Sequence, residues 1–166
     1  MKTAIIGTGN PLWGDDGLGV YMAQNPPPDL PSDVSLIDGG TAGVDLLRFF
    51  QEYDRLVVLD AVKHGGEPGD IVVFRPRETG EIQRHDSLSA HALDLSDVLS
   101  LAELMDYRAE VVIVGCEPFQ CTAGERLSDP IKEAIPKMWT EVQRELRAAN
   151  DVQHAFFHSS FVTRNS

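Results

Sequence analysis

Five short, uninterrupted apolar runs rich in β-branched residues constrain the fold of this chain more than any other feature. Continuous runs of this kind are typical of strands that are covered on both faces of a sheet. The runs predict β-strands at Thr3–Gly7, Val34–Asp38, Leu56–Ala61, Ile71–Arg75 and Glu110–Gly115.

Segments whose apolar residues recur with helical spacing lie between most of these runs. They predict helices at Asp16–Gln24, from an N-cap at Thr41 through Phe50, from an N-cap at Ser89 through Met105, and at Asp129–Ala149. Alternating strands and helices imply right-handed crossovers between parallel strands. The sequence therefore predicts an α/β fold with three layers, α/β/α.

The connection between the third and fourth runs differs from the others. Residues 62–70, VKHGGEPGD, are too few and too rich in glycine to form a crossover helix. We therefore expect the strand at Ile71 to pair antiparallel with its neighbour. The expected sheet is mixed, mostly parallel and five-stranded, and helices flank it.

Length and charge set limits on the domain organisation and on the partners. The 166 residues fit one domain with a full hydrophobic core. We place this domain at residues 1–150 and treat residues 151–166, where the apolar periodicity stops, as a carboxyl-terminal tail. The net charge of −12 would repel nucleic acid and anionic membranes, and it favours a partner that presents a cation or a basic segment.

The sequence contains neither a candidate transmembrane segment nor the long apolar core of a signal peptide. Cys116 and Cys121 do not form a disulfide framework, and we expect free thiols in a reducing compartment. The expected protein is a cytoplasmic monomer with no nucleic-acid or membrane partner.

Acidic residues follow the predicted strands at their carboxyl ends, where open α/β sheets place their sites. Asp16 lies in the loop after the first strand, Asp38 ends the second, and Asp60 lies at the end of the third. His91 lies at the start of the next helix. Two carboxylates and an imidazole at one edge of a sheet would suit a divalent cation such as nickel, zinc or iron.

Each of these residues also fits an ordinary structural role. Asp16 could cap the following helix, Asp60 could be a turn residue, and His91 could be an exposed histidine at a helix start. The spacing alone leaves both interpretations open.

The first loop does not favour a phosphate site. Leu12 stands where a dinucleotide fingerprint needs glycine. Gly9 and Gly14 have the spacing of a P-loop, but Asp15 and Asp16 follow them in place of lysine and a hydroxyl residue. Two carboxylates in that position would repel a phosphate.

Five motifs occur in a specific order: GTGNPLWGDDGLG, DGGTAG, an aspartate at the end of the next strand, SAHALDLSDVLS and GCEP. Together they closely resemble the nickel–iron hydrogenase maturation endopeptidases, over residues 3–149. The resemblance implies a mixed five-stranded sheet and a metal-contacting trio of Asp16, Asp60 and His91. It also associates Asp38 with activity.

The same resemblance implies an endopeptidase that removes the carboxyl-terminal extension of a hydrogenase large-subunit precursor. The precursor would already carry nickel, so the metal would come from the substrate. Asp16, Asp38, Asp60 and His91 are the expected catalytic residues. Scission could use metal polarisation of the carbonyl or activation of a water, with Asp38 or Asp16 as the base.

Two alternatives remain at this point. The first is a non-catalytic, nickel-dependent escort that binds the precursor without cutting it. The second is a cysteine peptidase that pairs Cys116 with His91, which we do not favour because the acidic surroundings should raise the pKa of the thiol.

Overall fold

One five-stranded sheet forms the centre of the molecule. The computed structural model describes residues 1–41, 43–76 and 95–162. The sheet has the order β2-β1-β3-β5-β4, and β4 alone is antiparallel to its neighbour, which confirms the predicted mixed sheet. The strands lie close to their predicted positions, at β1 Thr3–Thr8, β2 Ser35–Gly40, β3 Arg55–Ala61, β4 Ile71–Phe74 and β5 Glu110–Cys116.

Helices cover the sheet on both faces. The described residues form the α-helices α1 Leu18–Gln24, α2 Leu47–Glu52, α3 Leu95–Leu104 and α4 Asp129–Val162. Short 3-10 turns at Gly14–Gly17 and Val44–Leu46 lead into α1 and α2.

Alternating strand residues form two separate hydrophobic cores. Ile6, Val58 and Ile113 pack on one face with Phe49 of α2 and Val98 of α3. The opposite face carries the strand residues Ile5, Val57 and Leu59, packed against Leu18, Met22, Ile131 and Met138 of α1 and α4. Each fully buried side chain of this kind contributes about 1.5–3 kcal/mol, which explains why continuous apolar runs are needed. The three-layer α/β/α prediction is confirmed.

The predicted N-cap at Thr41 is wrong. Strand β2 continues through Gly40, directly before Thr41, and the Gly43 N–H donates to the Thr41 carbonyl at 2.9 Å. The 3-10 turn then begins after Gly43 without a side-chain cap. Ser89, the other predicted N-cap, lies outside the described residues.

Helix α4 is longer than predicted. It continues to Val162 rather than ending near Ala149, because no glycine and no further proline follows Pro136 within it. The domain boundary at residue 150 stays a prediction. Within the described part of the chain, no helix is both long and apolar enough to cross a membrane.

An ion-pair network around the buried Arg55 fastens α4 to the amino ends of two strands. The Arg55 side chain is 2% exposed, and its Nη2 atom lies 2.8 Å from Oε2 of Glu145 on α4. Arg75 contacts the same carboxylate, and Glu110 lies 3.6 Å from both arginines. This network holds the edge of the sheet opposite to the acidic loops.

Candidate functional site

The loop after β1 folds back against the end of β3. Gly9 has φ +117°, and a Cβ atom there would lie 1.8 Å from the Asp16 backbone oxygen and 3.7 Å from Oδ1 of Asp60. Only glycine fits this position, because a side chain would collide with the backbone in a conformation that L-residues avoid. Gly9 therefore brings the Asp16 segment and the Asp60 carboxylate to the same place.

The carboxylates of Asp16 and Asp60 are both held by backbone donors. Asp16 is partly buried in the 3-10 turn before α1, and its Oδ2 accepts the Asn10 N–H at 2.8 Å. Asp60 is also partly buried, and its Oδ1 accepts the Ala61 N–H at 2.9 Å. Both residues lie at the carboxyl edge of the sheet, as their positions at strand ends predicted.

Asp38 lies on the other side of β1. The registers pair Gly7 with both Asp38 and Leu59, so the backbones of β2 and β3 are two strand spacings apart at this level, about 10 Å. The exposed Asp38 carboxylate accepts the Gln24 amide at 2.8 Å and the Gly40 N–H at 3.0 Å. Asp38 thus lies at the same edge of the sheet, where Gln24 at the end of α1 holds its carboxylate.

His91 lies outside the described residues, so its place in the predicted trio stays a prediction. Among the residues that the structure does describe, no three metal-ligating side chains come together. The described part of the trio is the pair Asp16 and Asp60.

Asp15 has a structural role that the sequence did not predict. Its side chain is completely buried, and its carboxylate accepts four hydrogen bonds of 2.7–3.0 Å, from the backbone N–H groups of Phe119, Gln120 and Ser128 and from the Ser128 hydroxyl. It therefore fastens the loop after β5 to the loop after β1. The sequence feature that could have indicated this role is the adjacent pair Asp15-Asp16. Because neighbouring side chains in a helical turn point in different directions, the two aspartates cannot both face one ligand.

Neither cysteine has the character of a nucleophile. Burial raises the pKa of the Cys116 thiol to about 11, and the carboxylates of Asp15, Asp70 and Glu117 act in the same direction. This confirms the expected raising of the thiol pKa, with burial as the larger cause. Both thiols are free, as predicted.

Cys121 lies beside the Asp16 segment, and the sequence predicts no role for it beyond a free thiol. Burial is the main reason that the pKa of its thiol is raised, and the Asp16 carboxylate adds to the effect. The Lys63 ammonium opposes it. The acidic loops therefore also contain a partly buried thiol, and Lys63 lies close enough to affect its pKa.

Comparisons with known sequences match most of the chain. A family profile described as hydrogenase maturation protease matches residues 22–145. The hydrogenase expression/formation protein HupD of Rhizobium leguminosarum bv. viciae is 34% identical over 151 residues, which cover 89% of this chain and 75% of that protein. A putative hydrogenase maturation protease of Methanocaldococcus jannaschii is 32% identical over 139 residues, covering 80% of this chain and 88% of that protein.

Solved structures share the fold over nearly the same extent. The hydrogenase maturating endopeptidase HybD from E. coli superposes with a TM-score of 0.77 and 28% identity, covering 90% of this chain and 94% of that chain. The nickel–iron hydrogenase maturation protease HycI from Thermococcus kodakarensis gives a TM-score of 0.67 and 25% identity, covering 88% and 92%. The sheet and its covering helices are therefore shared with peptidases of hydrogenase maturation.

Proposed function

The chain belongs to the hydrogenase maturation protease family, and on this premise we propose that it removes the carboxyl-terminal extension of a hydrogenase large-subunit precursor that already carries nickel. It is a peptidase of hydrogenase maturation by family and by fold. The observation that carries the finer proposal is the approach of the Asp16 segment to the Asp60 carboxylate across Gly9, at the carboxyl edge of the sheet.

Asp16, Asp60 and His91 form the proposed contact with the nickel of the precursor. Carboxylate oxygens and an imidazole nitrogen are ligands that nickel accepts, so the donor set fits the ion. Nickel bound in the precursor would supply recognition and polarisation of a nearby carbonyl. The task of the chain is to hold Asp16 and Asp60 in place, which the Asn10 and Ala61 N–H groups support.

Asp38 is the proposed general base, with Asp16 as the alternative. The Asp38 carboxylate is exposed to water, and donors from Gln24 and Gly40 orient it. It can accept a proton from a water molecule that attacks the scissile carbonyl. Hydrolysis then uses aspartates rather than Cys116, whose thiol is protonated at neutral pH because its pKa is about 11.

We also propose that the protein acts in the cytoplasm as a monomer whose partner is the precursor. The two free thiols suit a reducing compartment. The net charge of −12 supports a partner other than nucleic acid or an anionic membrane.

Cleavage by dialysed, metal-analysed enzyme tests the role of nickel. We expect mass spectrometry to show shortening of nickel-loaded precursor and no change in metal-free precursor, because the ion is part of what the acidic residues recognise. Zinc added to the metal-free precursor should not substitute for nickel.

Equal cutting of loaded and metal-free precursor would contradict nickel recognition. A loaded precursor of unchanged mass in a stable complex with the protein would instead support the non-catalytic escort.

A further inference from the structure

Two neighbouring loops at the carboxyl edge of the sheet expose three large apolar side chains. The exposed fractions are 72% for Leu12, 41% for Trp13 and 62% for Phe119. We call these three residues the apolar rim. Single exposed apolar residues are common on proteins, but a concentration of them beside a functional site marks an interaction surface.

The two loops that carry the apolar rim are fastened to each other. The Phe119 N–H donates to the buried Asp15 carboxylate at 3.0 Å, and the Gly124 N–H donates to the Leu12 carbonyl at 2.9 Å. Gly14 lets the loops touch, since a Cβ atom there would lie 2.9 Å from the Gln120 carbonyl oxygen. The rim is therefore built on an ordered backbone, which reduces the entropy lost when a partner binds.

The apolar rim is continuous with the acidic residues. The Leu12 N–H donates to the Asn10 side chain at 3.0 Å, and the Asn10 N–H donates to the Asp16 carboxylate at 2.8 Å. A polypeptide whose scissile bond lies near Asp16 and Asp60 has these loops as its neighbours on one side. Its flanking residues would then meet Leu12 or Phe119.

Charge favours a basic partner over a second copy of this chain. The charges beside the rim are mixed, since Glu125 and Asp16 are acidic while Lys63 and Arg126 are basic. The preference for a basic partner therefore follows from the net charge of −12. Two copies would each bring a net charge of −12 to the contact and would repel one another. A segment that combines apolar and basic side chains complements both properties of this surface.

We propose that the apolar rim is the docking surface for an apolar and basic segment of the precursor next to the scissile bond. This inference rests on the proposed function and deepens it, because it names the part of the protein that selects the substrate polypeptide. Asp16 and Asp60 meet the nickel, and the rim binds the chain on one side of it.

The test compares wild-type protein with the Leu12→Ser/Phe119→Ser double variant. Both side chains are mostly exposed, so the melting temperature should not change. We expect the KM for nickel-loaded precursor to rise about tenfold or more with kcat retained, since binding common to ground state and transition state is lost. Direct titration should show the same loss of affinity.

Leu104→Ser is the matched control. Leu104 is 84% exposed and lies at the end of α3, before the amino end of β5, whereas Phe119 follows its carboxyl end. We expect unchanged KM and affinity for this variant. An equal rise in KM for the control and the double variant would overturn the inference.

The remaining outcomes separate the inference from the proposed function. A double variant that cuts and binds like the wild type overturns the rim while leaving the function in place. Wild-type protein that binds the precursor without cutting it overturns the function, and loss of binding in the double variant still supports the rim. If the wild-type protein neither binds nor cuts the precursor, both the inference and the proposed function are overturned. If the wild-type protein is a dimer and the double variant is a monomer, the rim is instead a contact between two copies of this chain.

Discussion

Two adjacent aspartates in the first loop have different tasks. The Asp15 carboxylate is fully buried and accepts its hydrogen bonds from the loop after β5. The Asp16 carboxylate is partly exposed and accepts the Asn10 N–H. Because neighbouring side chains of a helical turn point in different directions, neither residue can replace the other.

Substitution of the two aspartates should separate stability from activity. We expect Asp15→Ala to lower the free energy of unfolding by about 3 kcal/mol or more, because buried donors lose their acceptor at roughly 1–3 kcal/mol each. Asp16→Asn should change it by about 1 kcal/mol or less and abolish processing, and His91→Ala should abolish processing as well. Urea unfolding and a cleavage assay measure the two effects.

Full processing by Asp16→Asn would remove that carboxylate from the mechanism. Wild-type stability of Asp15→Ala would show that the loops hold together without the buried acceptor.

The sequence predicted the acidic residues of the edge better than the residue that supports them. Asp38 and Asp60 could be placed because each ends an apolar run, and the carboxyl ends of parallel strands share an edge. Asp15 could not be placed, since its hydrogen-bond partners are 104 to 113 positions away along the chain. No local pattern contains that information.

At the scale of elements, the ion-pair network between α4 and the sheet compensates the charge of the buried Arg55. The Glu145 carboxylate receives hydrogen bonds from Arg55 and Arg75, and its side chain is 12% exposed. The Arg55 Nε atom is buried and has no hydrogen-bond partner among the described residues. Arg55 therefore depends on Glu145 more than an exposed arginine would.

Removal of the Glu145 carboxylate should be costly. We expect Glu145→Ala to lower the free energy of unfolding by about 3–5 kcal/mol, because a buried guanidinium loses its nearest counter-charge. Glu141→Ala is the control on the same helix, since its pair with the exposed Arg144 contributes about 0–1 kcal/mol. Equal effects of the two substitutions in denaturant unfolding would contradict this view of the network.

Element boundaries were predicted where the sequence has a local signal and missed where it does not. Each strand coincides with one apolar run, so the predicted strand positions are accurate. The end of α4 has no glycine or proline signal, and residues beyond 149 continue the helix although their apolar spacing is irregular. Helix formation there follows from the absence of a stop signal rather than from an amphipathic pattern.

At the scale of the whole molecule, the net charge of −12 affects the rate at which the partner associates. The two hydrophobic cores are internal, so this charge lies mainly outside them and produces a long-range field. Opposite charge on a partner speeds encounter more than it strengthens the final complex.

Salt should therefore slow association with the precursor. We expect the association rate constant to fall roughly tenfold or more between low salt and about 0.5 M salt, because ions screen the field at short distance. The dissociation rate constant should change much less. Stopped-flow binding measures both, and an association rate independent of salt would contradict a basic docking segment.

The bonds of Asp15 also limit the order in which parts of this chain can fold during synthesis. They join residue 15 to residue 128, a span of 113 positions. During synthesis, which proceeds from the amino terminus at about 5–20 residues per second, the carboxylates emerge early but their surroundings cannot close until Ser128 has left the ribosome. A nascent chain therefore carries Asp15 and Asp16 long before Ser128, and the loop after β5 cannot be joined to the loop after β1 until Ser128 is available.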